Sequence, residues 1–158
     1  MLLYHFTSAD SLPQIRAGGL SRGTVPVSPT RGLNAVWLTT DGGPGGHGLE
    51  AGGAMMSDDQ RRQALEWSGV LPPAGTRLAK PATARITGDL VPNDRNLHVW
   101  LSWARQHLAP DWLARLHPVA GGNLRQAKTW RLYFGLIPAE SFVAVERLEA
   151  AMPAACAR

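Results

Sequence analysis

The chain has 158 residues, 44% of them apolar, with a formal charge of +4 and a pI near 10. That length and apolar content suit one domain with its own core and exclude global disorder. The lack of any apolar run of about 18 residues excludes a membrane-spanning helix, and a single cysteine, Cys156, excludes a disulfide framework or a cysteine-ligated metal within one chain.

The apolar run Met1–Tyr4 is too short for a secretory signal and follows no basic region, so a cytoplasmic location with no membrane partner is expected. The basic balance suits phosphate-bearing partners, nucleic acid or a dinucleotide. The cations are scattered, however, and only Arg61 and Arg62 adjoin.

Leu2 to Phe6 is short, apolar and aromatic, and reads as a buried strand. Ser11 then caps a helix whose first turn tolerates Pro13, and Gly18-Gly19 ends it. Residues 21–33 hold Gly, Pro, Ser and Thr and read as loop. Ala35 to Thr39 is a second strand. The segment from Gly42 to Gly53 is glycine-dense, lacks the order of a dinucleotide-binding loop, and is expected to be a mobile loop or lid, with His47 as a candidate lid residue.

A short helix is expected over Asp59 to Trp67, a loop from Pro72-Pro73, and a strand over Ala82 to Leu90. Asn93 is placed to cap a helix whose Leu97, Trp100, Leu101, Ala104 and Leu108 share one face. Pro110 ends it, and Asp111 caps a shorter helix. After a break at Gly121-Gly122, Thr129 to Phe134 and Ser141 to Val145 read as paired strands joined by GLIPAE. Residues 1–150 are expected to form one α+β domain with a partly antiparallel sheet, and 151–158 a flexible tail.

A lone histidine in an apolar setting, such as His5, is ordinarily a hydrogen-bonded core residue. Here its surroundings carry more. YHFTSADSLPQIRAGGL resembles the strand-helix opening of the ADP-ribosyltransferase superfamily, shared by DNA-targeting ADP-ribosylating toxins and tRNA 2'-phosphotransferases. AVWLTTD resembles its second strand motif, and TWRLYFGLIPAESFVAV its closing hairpin. The resemblance covers about the first forty residues and residues 126–147.

The resemblance implies a split, partly antiparallel sheet with flanking helices and NAD as substrate. It further implies transfer of ADP-ribose to a nucleic-acid or protein acceptor and, for a toxin or phage-defence effector, an antitoxin or immunity partner. His5 would hydrogen-bond a ribose, with the backbone near Phe6 and Thr7 meeting the nicotinamide amide. Thr39 and Thr40 would line the second edge, and Trp37 could stack on a flat ring or belong to the core. Tyr4 belongs to the same cofactor-binding group but is expected to pack behind the site, because strand neighbours point to opposite faces.

The superfamily's glutamate, which holds the ribose 2'-OH and stabilises the oxocarbenium-like transition state, would fall at Lys128–Trp130, where there is no carboxylate. Glu140, after the Ile137-Pro138 turn, is the candidate substitute. A phosphotransferase-like alternative would instead use His5, Arg85, Lys128 and Arg131. A third reading is an inactive NAD- or nucleotide-binding module. A fourth, a basic nucleic-acid-binding domain, would present Trp100, Trp103 and Trp112 for stacking. The five histidines show no metal-ligand spacing, so no metal is expected.

Overall fold

The computed structural model describes residues 1–45, 47, 56–76, 82–119 and 124–148. Most of the glycine-dense segment, the Gly121-Gly122 break and the C-terminal tail lie outside the described residues.

The first strand, β1 (Leu2–Thr7), leads through a 3-10 turn at Ala9–Ser11 into α1 (Leu12–Gly18). The capping differs in detail from expectation. Ser8, not Ser11, accepts a side-chain bond, from the Asp10 amide, while Pro13 sits in the first turn as expected. Gly19 ends the helix at φ 76°, and a Cβ there would strike the Ile137 carbonyl. The helix end therefore needs glycine on both counts. This close approach allows Leu20 to pair with Ile137, tying the first helix to the Ile137-Pro138 turn; the strands on either side of that turn, expected to pair as a hairpin, lie apart in the sheet, each paired with other strands.

Residues read as loop form a hairpin, β2 (Thr24–Ser28) and β3 (Arg31–Asn34), which is a separate two-stranded sheet. Pro26 within β2 masks the signal, because proline is confined to strand edges and bulges. Val25 is fully buried, and the register shifts between Pro26 and Ser28. Next come β4 (Val36–Thr39), α2 (Asp58–Ser68) and β5 (Ala84–Asp89), each within two residues of its expected bounds.

The helix expected from Asn93 starts later. Leu97–Val99 is a strand, β6, and α3 spans Trp100–His107. Leu97 matches the helical spacing but pairs with Tyr133 instead, so sheet pairing overrides the local period. Then follow α4 (Pro110–Val119), α5 (Leu124–Ala127), β7 (Trp130–Tyr133) and, after a 3-10 turn at Ala139–Ser141, β8 (Phe142–Arg147).

The main sheet has six strands in the order β6-β7-β4-β1-β5-β8, with every pair antiparallel. The protein is α+β, and this sheet is more fully antiparallel than expected. One core cluster joins Leu3, Val36, Leu38, Ile86 and Tyr133 to Leu12 of α1. The other joins Leu132 to Val25, Trp100, Trp103, Leu108 and Leu116. Trp100 and Trp103 are buried there, and Trp112 donates its Nε1 proton to the Pro26 carbonyl. Trp100 and Trp103 are therefore core residues and not presented for stacking, and Trp112 is half-buried against the same cluster.

Candidate functional site

The pairing of β1 with its two neighbours is unequal. Against β5 it is continuous from Leu2 to Thr7. Against β4 it consists of one residue pair, Tyr4 with Thr39. Beyond that pair the two backbones part, and a cavity of about 320 Å³ opens at the split. Tyr4, His5 and Phe6 of β1 line it, with Trp37, Leu38 and Thr39 of β4. His47 and Trp130 complete the wall.

Consecutive residues of both strands line the cavity because it lies in the gap between the strands, where their backbones as well as their side chains border it. Tyr4 is among the lining residues, and its ring also packs against Arg85 and Gly42.

His5 spans the gap. Its Nδ1 lies 2.9 Å from the Trp37 carbonyl oxygen. A carbonyl can only accept, so Nδ1 carries the proton and Nε2 is left with a lone pair. Nε2 has no partner among the described residues. Burial disfavours the imidazolium and lowers the His5 pKa below its ordinary value, an effect partly offset by the Trp37 carbonyl. Near neutral pH the ring is therefore a neutral hydrogen-bond acceptor.

Thr39 is buried and fully engaged. The Asp41 amide donates to its Oγ1 at 3.0 Å. Thr39 and Thr129 share a hydroxyl bond of 2.7 Å, and Thr129 donates onward to the Gln126 carbonyl at 2.7 Å. Since the Thr129 proton goes to that carbonyl, the Thr39 proton goes to Thr129. The chain of bonds fixes the end of β4 against the start of β7.

His47, expected in a lid, is a buried wall residue. Trp130 Nε1 donates to its Nδ1 at 2.7 Å, so the ring proton sits on Nε2, 3.3 Å from Asp41 Oδ2. Its ring also stacks near Phe6, with centroids 6.3 Å apart.

Of the residues expected to bind the cofactor, Tyr4, His5, Phe6, Trp37 and Thr39 are brought together. Thr7 and Thr40 are not among the lining residues. The Thr7 carbonyl accepts from the Thr83 amide, and the Thr40 amide donates to the Thr129 carbonyl.

Of the expected catalytic set, only His5 reaches the cavity. Glu140 is exposed in the 3-10 turn before β8, and Lys128 is exposed. Arg85 donates to Glu146 Oε2 from Nε at 3.0 Å and from Nη2 at 2.7 Å. It also donates from Nη1 to the Gly42 carbonyl and covers the Tyr4 ring, 5.4 Å from its centroid. It therefore braces Tyr4. Arg131 donates to the Lys128 and Trp130 carbonyls, and burial lowers its pKa.

Sequence reasoning missed Leu38 and Trp130 as wall residues. Trp130 stands in the segment where the resemblance places a glutamate, and that alignment was the one available signal. No carboxylate lines the cavity among the described residues; Asp41 comes nearest, through His47. The described residues hold no cluster of three potential metal ligands, and none of their helices is long and apolar enough to cross a membrane. No family model, curated protein or solved structure matches the chain.

Proposed function

We propose that this chain is an ADP-ribosyltransferase-like module that binds NAD by its nicotinamide end at the split between β1 and β4. The observation that carries the reading is His5: it closes the split through the Trp37 carbonyl and keeps Nε2 free beside an aromatic-walled cavity. A neutral acceptor there suits a ribose hydroxyl or the carboxamide N–H₂ of nicotinamide. Aromatic walls suit the flat ring itself.

Binding is better supported than transfer. ADP-ribosyl transfer gains its rate from a negative group preorganised beside the developing oxocarbenium, and the described lining has no carboxylate. The phosphotransferase-like reading has less support, because Arg85 is committed to Glu146 and Gly42, and Lys128 lies outside the lining.

Calorimetry with NAD, run beside an assay of nicotinamide release from labelled NAD, tests this reading. Saturable binding with no release, with or without protein, nucleic-acid or 2'-phosphorylated RNA acceptors, is the expected result. Release at enzymatic rates would restore the transferase reading. Absence of binding would remove both.

A further inference from the structure

The bonds of His47 fix where a second proton can go. An indole N–H can only donate, so His47 Nδ1 accepts the Trp130 bond at 2.7 Å. The ring proton is on Nε2, 3.3 Å from Asp41 Oδ2. That contact is slack beside the about 2.7–2.9 Å of a charge-assisted bond. The His47 side chain is 3% exposed and that of Asp41 40%. Asp41 is anchored independently of the histidine. Its amide donates to Thr39 Oγ1, and its Oδ1 accepts from the Gly43 amide at 3.1 Å.

A second proton must go to Nδ1, where it would point at the Trp130 N–H: two donors with no acceptor between them. Turning the ring over puts a C–H where Nδ1 was and restores nothing. The neighbouring rings do not compensate. The Phe6 and Trp130 centroids lie 6.3 and 6.2 Å from that of His47, beyond the about 6 Å within which an aromatic face holds a cation. The other charged and titratable groups nearby are committed elsewhere. His5 on β1 is neutral and bonded to Trp37, and Arg85 covers Tyr4 while bonded to Glu146 and the Gly42 carbonyl. On β7, Arg131 donates to backbone carbonyls, and Lys128 is exposed. Asp41 is the one carboxylate in contact with His47 among the described residues.

We propose that His47 is a proton-operated latch on the cavity: neutral, it is held in the wall by Trp130; doubly protonated, it releases Trp130 and pairs with Asp41, and the wall opens. One proton from solvent adds to Nδ1, one neutral hydrogen bond is lost, and one slack contact tightens into an ion pair. Burial makes the exchange directional. An imidazolium inside the wall would face a donor in a desolvated site, whereas Asp41 offers it a fixed, partly solvated counter-charge. The latch is read from these bonds alone; that it controls retention of NAD rests on the proposed function. A ligand that needs the closed wall binds in proportion to the neutral fraction of His47. Its apparent affinity therefore falls about tenfold one pH unit below the His47 midpoint.

The test is a ¹H–¹⁵N NMR titration of the intact protein from pH 8 to pH 5. It follows the Trp130 indole resonance, assigned by its loss in Trp130→Phe, together with the histidine ring nitrogens. The indole N–H should move from a bonded to a free position at the His47 midpoint. Asp41→Asn, checked for native circular dichroism, removes the charge that receives the imidazolium and should move both changes together to lower pH. A Trp130 resonance that holds its position while His47 titrates, or a His47 ring that stays neutral down to pH 5, overturns the latch.

NAD affinity measured on both sides of the His47 midpoint separates this inference from the reading it deepens. The wild type should lose about tenfold one pH unit below the midpoint. In Asp41→Asn the loss should follow the shifted midpoint, which a loss driven by His5 would not do. Equal affinity on both sides, or a loss that Asp41→Asn does not move, overturns control by the latch and leaves NAD binding standing. Trp130 and His47 changing together with no NAD bound at any pH upholds the latch and removes the NAD reading.

Discussion

His5 and Trp37 hold the central sheet together where its backbone does not. The two strands share one residue pair, Tyr4 with Thr39, and beyond it the imidazole Nδ1–H donates to the Trp37 carbonyl at 2.9 Å. A side chain thus replaces a ladder hydrogen bond, and the missing backbone contact becomes the cavity.

That histidine gives the fold a defined pH response. Its pKa is lowered in the folded protein, so between that lowered value and about 6.5 the unfolded chain binds more protons. The contribution of neutral His5 is fully present above about pH 6.5 and is lost as pH falls through the folded value. Urea midpoints measured from pH 8 to 5 should fall at the acid end, and His5→Ala should flatten that part of the dependence. An unaltered acid slope in the variant would contradict the assignment.

Trp130→Phe keeps an aromatic wall and removes one proton donor. It leaves His47 Nδ1 without the indole N–H that satisfies it in a buried setting. A loss of about 1–3 kcal/mol of stability is expected, the cost of an unsatisfied buried polar atom. Equilibrium denaturation measures it, and a change below about 0.5 kcal/mol, typical of a surface substitution, would show that the bond does not hold His47.

Glu140→Gln separates the sequence expectation from the structure. Glu140 is exposed and does not line the cavity. NAD affinity and stability should be unchanged within about 0.5 kcal/mol. A hundredfold loss of any measured turnover would reinstate Glu140 as the transition-state carboxylate.

Much of this arrangement was legible in the chain itself. β1, β4, β5, β7 and β8 follow from apolar runs bounded by turn residues, and Gly18-Gly19 marks the end of α1. The hairpin of β2 and β3 was hidden by Pro26, and β6 by the helical spacing of Leu97. In both cases pairing partners distant in sequence decide the outcome, and a local pattern does not contain them.

The site was half legible. The ordered YHFT and WLTT segments point to His5 and Thr39, but no local signal shows that Trp130 and His47 meet across a sequence separation of 83. The role of Arg85 was open for the same reason. A cation in a strand needs a partner, and Glu146 becomes one only when β5 pairs with β8.

Arg85→Met and Glu146→Gln should therefore differ. The ion pair is partly exposed, so losing the Glu146 charge alone should cost no more than about 1 kcal/mol. Arg85→Met also frees the Gly42 carbonyl and uncovers Tyr4, and should cost more and weaken ligand binding. Equal effects in denaturation and binding would show that Arg85 acts only through the ion pair.

The central claim is that NAD is held at the free nitrogen of His5. Side-chain ¹⁵N NMR of the histidine rings at pH 7.5, followed through an NAD titration, tests it most directly. His5 Nε2 should start as an unprotonated, unbonded nitrogen and shift as it accepts a bond from the ligand. The His47 nitrogens, already engaged by Trp130 and Asp41, should stay nearly fixed. NAD reaching saturation with the His5 Nε2 resonance unmoved, or failing to bind at all, would contradict the account.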